Sequence, residues 1–196
     1  MKDKSILIAT TNKGKMNDIR EIFKSANIKI LSFSDFENYP LIEETGSSFE
    51  ENALLKAKSA YEYFRMPVIS DDSGLAVAQL NDAPGVYSAR YAGINASDED
   101  NNRKLVAELK KYPEPHLAKY ICIAVYYDGY KIENRYGECS GRIIKQPRGV
   151  NGFGYDPHFV PDGYNLTMAE MNIQVKNKIS HRWKAFEQLI ETVEKL

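Results

Sequence analysis

Ser5-Ile6-Leu7-Ile8-Ala9-Thr10-Thr11-Asn12-Lys13-Gly14-Lys15 is the stretch on which the fold turns. Ser5–Ala9 is a short apolar run of the kind that forms a buried strand. Thr10 through Lys15 is a polar turn. Beyond it, Met16, Ile19, Ile22 and Phe23 fall on one face of a helix expected to reach about Ser25. Strand, polar loop and helix in that order open an α/β fold. Such a loop presents backbone N–H groups at a helix N-terminus, where phosphate is readily held.

The pattern continues outward from there. Leu31–Phe33 reads as a second strand, followed by the acidic loop Glu43-Glu44-Thr45-Gly46. Ser48 and Glu51 have the spacing of a capping box for a helix through about Phe64, which Met66-Pro67 ends. Val68–Ser70 reads as a strand that delivers Asp71, Asp72 and Ser73 at its end. Gly74 permits a tight turn there, with strand resuming over Leu75–Leu80. Ser97 and Asp100 predict a helix to about Lys110. Tyr120–Tyr127 and Tyr130–Tyr136, joined by Asp128-Gly129, carry the strongest hairpin signal. Thr167 and Glu170 are spaced to cap a short helix. The last helix is expected to start near Ser180, with Phe186, Leu189, Ile190 and Val193 inward. The sum is an α/β fold with an antiparallel component.

The chain has 196 residues, 43% hydrophobic and 27% charged, which suits one domain over 1–196, built as two lobes around a real core. Its net charge of −1 is not that of a polycation, so general nucleic-acid binding is disfavoured. An anionic ligand must instead be met by local clusters of Lys and Arg. The two cysteines, Cys122 and Cys139, do not make a disulfide framework and read as free thiols. Met1-Lys2-Asp3-Lys4 leads into an apolar run too short for a signal peptide, and no stretch approaches a membrane span. The expectation is a cytoplasmic protein.

Four clusters can carry chemistry. Asn12, Lys13 and Lys15 suit phosphate oxygens, although the glycine spacing of a Walker A loop is missing. Glu43, Glu44, Asp71 and Asp72 are hard oxygen donors of the kind Mg²⁺ accepts. Asp71-Asp72 is the sharper pair, because adjacent carboxylates repel unless a cation or basic partner is near. One of them can hold metal while the other takes a proton from water. Lys56 sits in the following helix, among apolar neighbours. Lys176, Lys178, His181 and Arg182 form a basic cluster near the C-terminus. Phe153-Gly154-Tyr155-Asp156-Pro157 places two aromatics around a glycine, where a base can stack or a core can pack. Ala83-Pro84-Gly85 with Ser88 and Arg90 is a turn suited to a ligand or to a subunit contact.

In joint order these segments resemble the inosine triphosphate pyrophosphatases, the Ham1-like family, nearly end to end. The carriers are Thr10–Lys15, Glu43–Gly46 with Phe49–Lys56, Ser70–Leu75, Ala83–Tyr91, Gly152–Pro157 and Ser180-His181-Arg182. Thr11 departs from the glycine of many members. The resemblance implies an elongated mixed β-sheet with flanking helices, two lobes around a nucleotide-binding cleft, and a homodimer. It implies Mg²⁺ carried by Asp72, Glu43 and Glu44, with Asp72 also the proton acceptor. Thr10, Thr11, Asn12, Lys13, Gly14, Lys15, Lys56 and Lys176 would then hold phosphates. Ser73, Phe153, Gly154, Tyr155, Asp156, His181 and Arg182 would hold the nucleoside. The implied reaction cleaves ITP, dITP or XTP to the monophosphate and pyrophosphate. The rivals are a Maf-like nucleotide pyrophosphatase and a non-catalytic nucleotide-binding regulator.

Overall fold

The computed structural model describes residues 4–196. Met1, Lys2 and Asp3, part of the charged start weighed above, lie outside the described residues. The elements run β1 (Ser5–Ile8), α1 (Lys13–Ile22), β2 (Lys29–Ser32), α2 (Phe49–Phe64), β3 (Val68–Val77), α3 (Asp98–Leu109), β4 (His116–Tyr127) and β5 (Ile132–Ile143). Then come β6 (Phe159–Pro161), α4 (Ile173–Ile179), α5 (His181–Phe186) and α6 (Ile190–Glu194). The strands make one six-stranded sheet in the order β2-β1-β3-β4-β5-β6. β1 runs parallel to both β2 and β3, whereas β5 and β6 are antiparallel, so the sheet is mixed, with helices flanking it.

The chain divides into two compact units. Unit 1 takes the chain through Asp72, Cys122–Gly137 and Arg182–Leu196. Unit 2 takes Ser73–Ile121 and Glu138–His181. In unit 1, alternate strand residues serve two cores. Ile6, Ile8 and Ile69 pack with Met16 and Ile19 of α1 and with Phe186 and Leu189. Leu7, Ala9 and Val68 pack with Ala53, Ala57 and Ala60 of α2. Unit 2 has its own core, in which Leu105 and Leu109 of α3 meet Leu75, Val77, Tyr155 and Phe159.

Several boundaries depart from the sequence reading. α1 begins at Lys13, because Asn12 caps it by accepting the Lys15 N–H at 3.0 Å. β3 runs unbroken through Asp71, Asp72, Ser73 and Gly74, so no turn forms at Gly74. Polar residues that favour turns in isolation stay extended because partners from neighbouring elements hold their side chains. Ala78–Leu80 leaves the strand as a 3-10 turn. Ser48 caps α2 as expected, but the Glu51 carboxylate reaches Ser47 rather than Ser48. Thr167 and Glu170 make both capping contacts yet close only a turn, and the helix starts later, at Ile173, under Asn172. The final helix is not continuous: Ser180 ends α4, and α5 and α6 follow with a 3-10 turn between them.

Neither cysteine is in a disulfide and both are buried, Cys122 at 0% exposure and Cys139 at 4%. Burial also pushes the Cys122 thiol up, away from the reactive thiolate. An aromatic disulfide reagent is therefore expected to label neither cysteine in the native protein and both after guanidinium unfolding. Rapid native labelling of either would contradict this packing. Among the described residues, no helix is long and apolar enough to cross a membrane.

Candidate functional site

Strand alternation sorts the acid pair. Asp72 shares the α2 side with Val68 and Ser70, whose hydroxyl donates to the Ala53 carbonyl at 2.5 Å. There the Asn52 amide donates to Asp72 Oδ2 at 3.1 Å, and Lys56 Nζ stands 3.6 Å from Asp72 Oδ1. Asn52 and Lys56 are four residues apart on α2, hence on one helix face. Lys56 also pairs with Glu44 at 2.6 Å, while Asn52 accepts the Gly46 N–H at 2.7 Å, so α2 holds the acidic loop as well. Desolvation drives the Asp72 carboxyl above its ordinary value of 3.8; Lys56 opposes the shift, and Glu44 adds to it. Lys56 remains firmly cationic despite its burial, because Asp72, Asp71 and Glu44 surround it.

Asp71 serves the α1 side. Its Oδ2 meets Lys15 Nζ at 2.8 Å and Arg182 Nε at 3.8 Å, with the Cys122 thiol at 3.9 Å. Arg182 also donates to Asp18 Oδ2 at 2.9 Å. Asp71 and Arg182 are 1% and 3% exposed, so this is a buried ion network. Burial alone would raise the Asp71 carboxyl, but Lys15, Arg182 and Lys56 overrule it and hold the group far below the usual carboxylate range. Asp71 is thus held as an anion, whereas Asp72 binds its proton more tightly than a free aspartate does.

Thr10 through Lys15 form the junction of β1 and α1. Thr10 Oγ1 accepts the Asn12 N–H at 3.2 Å, and Asn12 caps the helix. Thr11, Asn12 and Lys13 are exposed, while Gly14 and Lys15 lie half-buried in the first helical turn. Thr11 is not among the positive-φ residues, so its backbone does not require glycine.

Unit 2 holds the second cluster. Asp156 Oδ2 accepts the Phe153 N–H at 3.1 Å and pairs with Lys176 Nζ at 2.6 Å. The Tyr120 hydroxyl donates to Asp156 Oδ1 at 3.2 Å, and its ring stacks on His181 with centroids 4.7 Å apart. The Lys176 ammonium lies 5.3 Å from the Phe153 ring centroid. Tyr155 is buried and donates its hydroxyl to the Ser88 carbonyl at 2.8 Å. Gly152 has φ +79°, and a Cβ there would stand 2.1 Å from Asp156 Oδ2. Gly152→Ala is therefore expected to destabilise the protein by more than about 1 kcal/mol in urea unfolding, through strain and displacement of the Asp156–Lys176 pair. An unchanged midpoint would count against this packing.

The predicted residues fall into place unevenly. Glu44 joins the Asp72 cluster, whereas Glu43 is exposed beside it in the loop. Arg182 is gathered with Asp18 and Asp71 in unit 1, while its neighbour His181 belongs to unit 2. Ser73 is half-buried in β3. Lys178 of the basic cluster is exposed on α4. Sequence reading missed Asn52, Asp18 and Tyr120. Asp18 had a usable signal: it is an acid on the buried face of α1, between Met16 and Ile19. Asn52 is fully buried one helical turn before Lys56, a placement that only the fold reveals.

The donor set suits a hard cation. Glu44 and Asp72 converge on one ammonium, and the charge of Glu44 makes Asp72 harder to ionise, a penalty that a divalent ion would relieve. Among the described residues, no three His, Cys, Asp or Glu side chains gather as a protein-only metal cage. Mg²⁺ is commonly held by one or two carboxylates together with substrate phosphates, so these two acids fit it.

The chain belongs to the Ham1 family, whose model matches residues 6–192. A dITP/XTP pyrophosphatase of Oceanobacillus iheyensis is 45% identical over 189 residues, covering 95% of this chain and 96% of that one. The dITP/XTP pyrophosphatase of Geobacter sulfurreducens is 47% identical over 182 residues, covering 92% of each. Among solved structures, a HAM1 protein from Coxiella burnetii aligns with a TM-score of 0.89 at 38% identity, covering 98% of this chain and all of that one (100%). The Staphylococcus aureus Ham1 protein aligns with a TM-score of 0.86 at 40% identity, covering 98% of this chain and 99% of that one.

Proposed function

We propose that this protein hydrolyses non-standard purine nucleoside triphosphates, ITP, dITP and XTP, to the monophosphate and pyrophosphate, keeping them out of DNA and RNA. The observation that carries the chemistry is Asp72: a buried carboxylate, raised in proton affinity and oriented by Asn52 and Lys56. The purine class is supported by the relatives named dITP/XTP pyrophosphatase. Residues 1–196 act as a single catalytic domain, in the cytoplasm, and the resemblance adds a homodimer.

Asp72 accepts the proton of the attacking water as its oxygen bonds to the α-phosphorus. The α–β bridging P–O bond breaks, and pyrophosphate departs with that electron pair. Thr10, Thr11, Gly14 and the N–H groups at the start of α1 receive phosphate oxygens, joined by Asn12, Lys13 and Lys15. Lys56 neutralises charge beside Asp72, and Lys176, steadied by Asp156, adds a further cation. Glu44 and Asp72, with Glu43 in the same loop, are the residues that would hold Mg²⁺. Once bound, such an ion would supply positive charge to the triphosphate and favour deprotonation of the attacking water. In-line positioning and charge stabilisation supply most of the rate.

The nucleoside falls to Ser73, Phe153, Gly154, Tyr155, Asp156, His181 and Arg182, with Phe153 stacking on the base. Inosine and xanthosine carry a 6-keto acceptor where adenosine carries an amino donor. A site built around an N–H donor pairs with the first and leaves the second unmatched, a difference worth orders of magnitude in rate.

The test is pyrophosphate release from dITP, XTP, dATP, dGTP, dTTP and UTP, with and without Mg²⁺. Release from dITP and XTP that requires the ion is the expected result. Preference for the pyrimidines would favour a Maf-like enzyme. ITP binding without pyrophosphate release would favour a regulator.

A further inference from the structure

Phe153 stands between two glycines in the left-handed region, Gly152 at φ +79° and Gly154 at φ +61°. Glycine there permits the turn but leaves it loose in the unfolded ensemble, so the turn has to be held from outside. On the Gly152 side the hold is Asp156, which accepts the Phe153 N–H. On the Gly154 side a Cβ would enter open space, so no neighbour crowds that side of the glycine.

Hydrogen bonds from α3 hold the Gly154 peptide. The Gly154 N–H donates to Asp98 Oδ2 at 2.6 Å. The Gly154 carbonyl accepts from Asn102 Nδ2 at 2.8 Å. Asn102 is 8% exposed and also donates to the Asp98 carbonyl at 2.9 Å. Asp98 and Asn102 are four residues apart, hence on one face of α3, and together they take both backbone polar groups of Gly154. Asp98 stands in the first turn of the helix, where the dipole favours its negative charge. The same turn grips a second segment: Asn101 accepts the Ala92 N–H at 2.8 Å and donates to the Ala89 carbonyl at 3.2 Å.

We propose that Asp98 and Asn102 are positioning residues that fix the Gly154 peptide, and with it the orientation of the Phe153 ring, so that they set the KM for the purine and the preference between keto and amino bases. This rests on the reading of Phe153 as the base-stacking residue. Neither side chain takes part in proton transfer, so kcat on the favoured substrate is governed elsewhere.

The experiment uses the full-length protein with Mg²⁺ and compares Asp98→Ala, Asp98→Asn, Asn102→Ala and Phe153→Ala on dITP and dATP. Losing one of these hydrogen bonds is expected to raise the KM for dITP about three- to tenfold and to narrow the dITP-over-dATP preference, with a smaller change in kcat. Asp98→Asn, which keeps an accepting oxygen, is expected to recover most of the loss. Asp98 is exposed, so its variants fold even if Asn102→Ala does not. If Phe153→Ala raises KM while Asp98→Ala and Asp98→Asn match the wild type, the positioning role is overturned and the stacking reading stands. If Phe153→Ala leaves KM and preference unchanged, the stacking reading fails and takes the positioning role with it. If Asp98→Ala lowers kcat equally on both substrates, without rescue by asparagine, its role is structural and the proposal is overturned.

Discussion

Replacing Asp72 by asparagine is expected to abolish nearly all pyrophosphate release from dITP while nucleotide binding survives. Asparagine keeps the size of the side chain and can still pair with Asn52, but it cannot accept the proton of the attacking water. General-base catalysis contributes roughly a hundredfold to ten-thousandfold, so kcat is expected to fall within that range. In the proposed site Asp72 acts on water rather than on the nucleoside or the phosphates, so calorimetry with a non-hydrolysable analogue is expected to report an affinity within about tenfold of the wild type. Near-normal turnover in this variant would remove Asp72 from the role of base.

Arg182→Met is expected to cost about 3–5 kcal/mol of stability, the usual result of removing one partner from a buried charge network. Asp18 and Asp71 would be left as buried anions, with Lys15 as the near cation for Asp71. Urea unfolding checks the magnitude, and adding Asp18→Asn to Arg182→Met is expected to recover part of the loss. An Arg182→Met midpoint equal to wild type would mean that the network is not needed for folding. The pH dependence follows from Asp71. Burial opposes its charge, but Lys15, Arg182 and Lys56 hold its folded value far below the 3.8 of a free aspartate. The unfolded chain therefore binds the proton first as pH falls. The stability contributed by the Asp71 charge is fully present above pH 3.8 and shrinks progressively below it.

Much of this was legible in the chain itself. The β1–α1 opening, the α2 cap at Ser48 and the capping box of Ser97 and Asp100 were set by local rules, and all three form. The sharp acid pair was visible, and so was its need for a cation, which the lysines and Arg182 answer. What local rules misjudged was β3. Asp-Asp-Ser-Gly looks like a turn because each residue favours turns in isolation. Pairing with β1 and the cations of α1, α2 and α5 keep it extended, and those contacts are long-range. For the same reason Asn52 and Asn102 were invisible: each is an ordinary helix asparagine until the fold shows what it faces. The Thr167–Glu170 spacing failed in the opposite way. The cap contacts form, but the turn they close does not continue as a helix.

The unbroken path of β3 has a genetic consequence. Two like-charged neighbours coexist because the strand turns them to opposite faces, one toward α1 and α5 and the other toward α2. Neither carboxylate can substitute for the other, although they differ only in position. A one-residue deletion upstream, compensated one residue downstream, would preserve the composition and the charge of the segment. It would also turn Asp72 toward Lys15 and Arg182 and turn Asp71 toward the α2 side. In this protein, register along a single strand separates the acid proposed as the base from the one paired with Lys15 and Arg182.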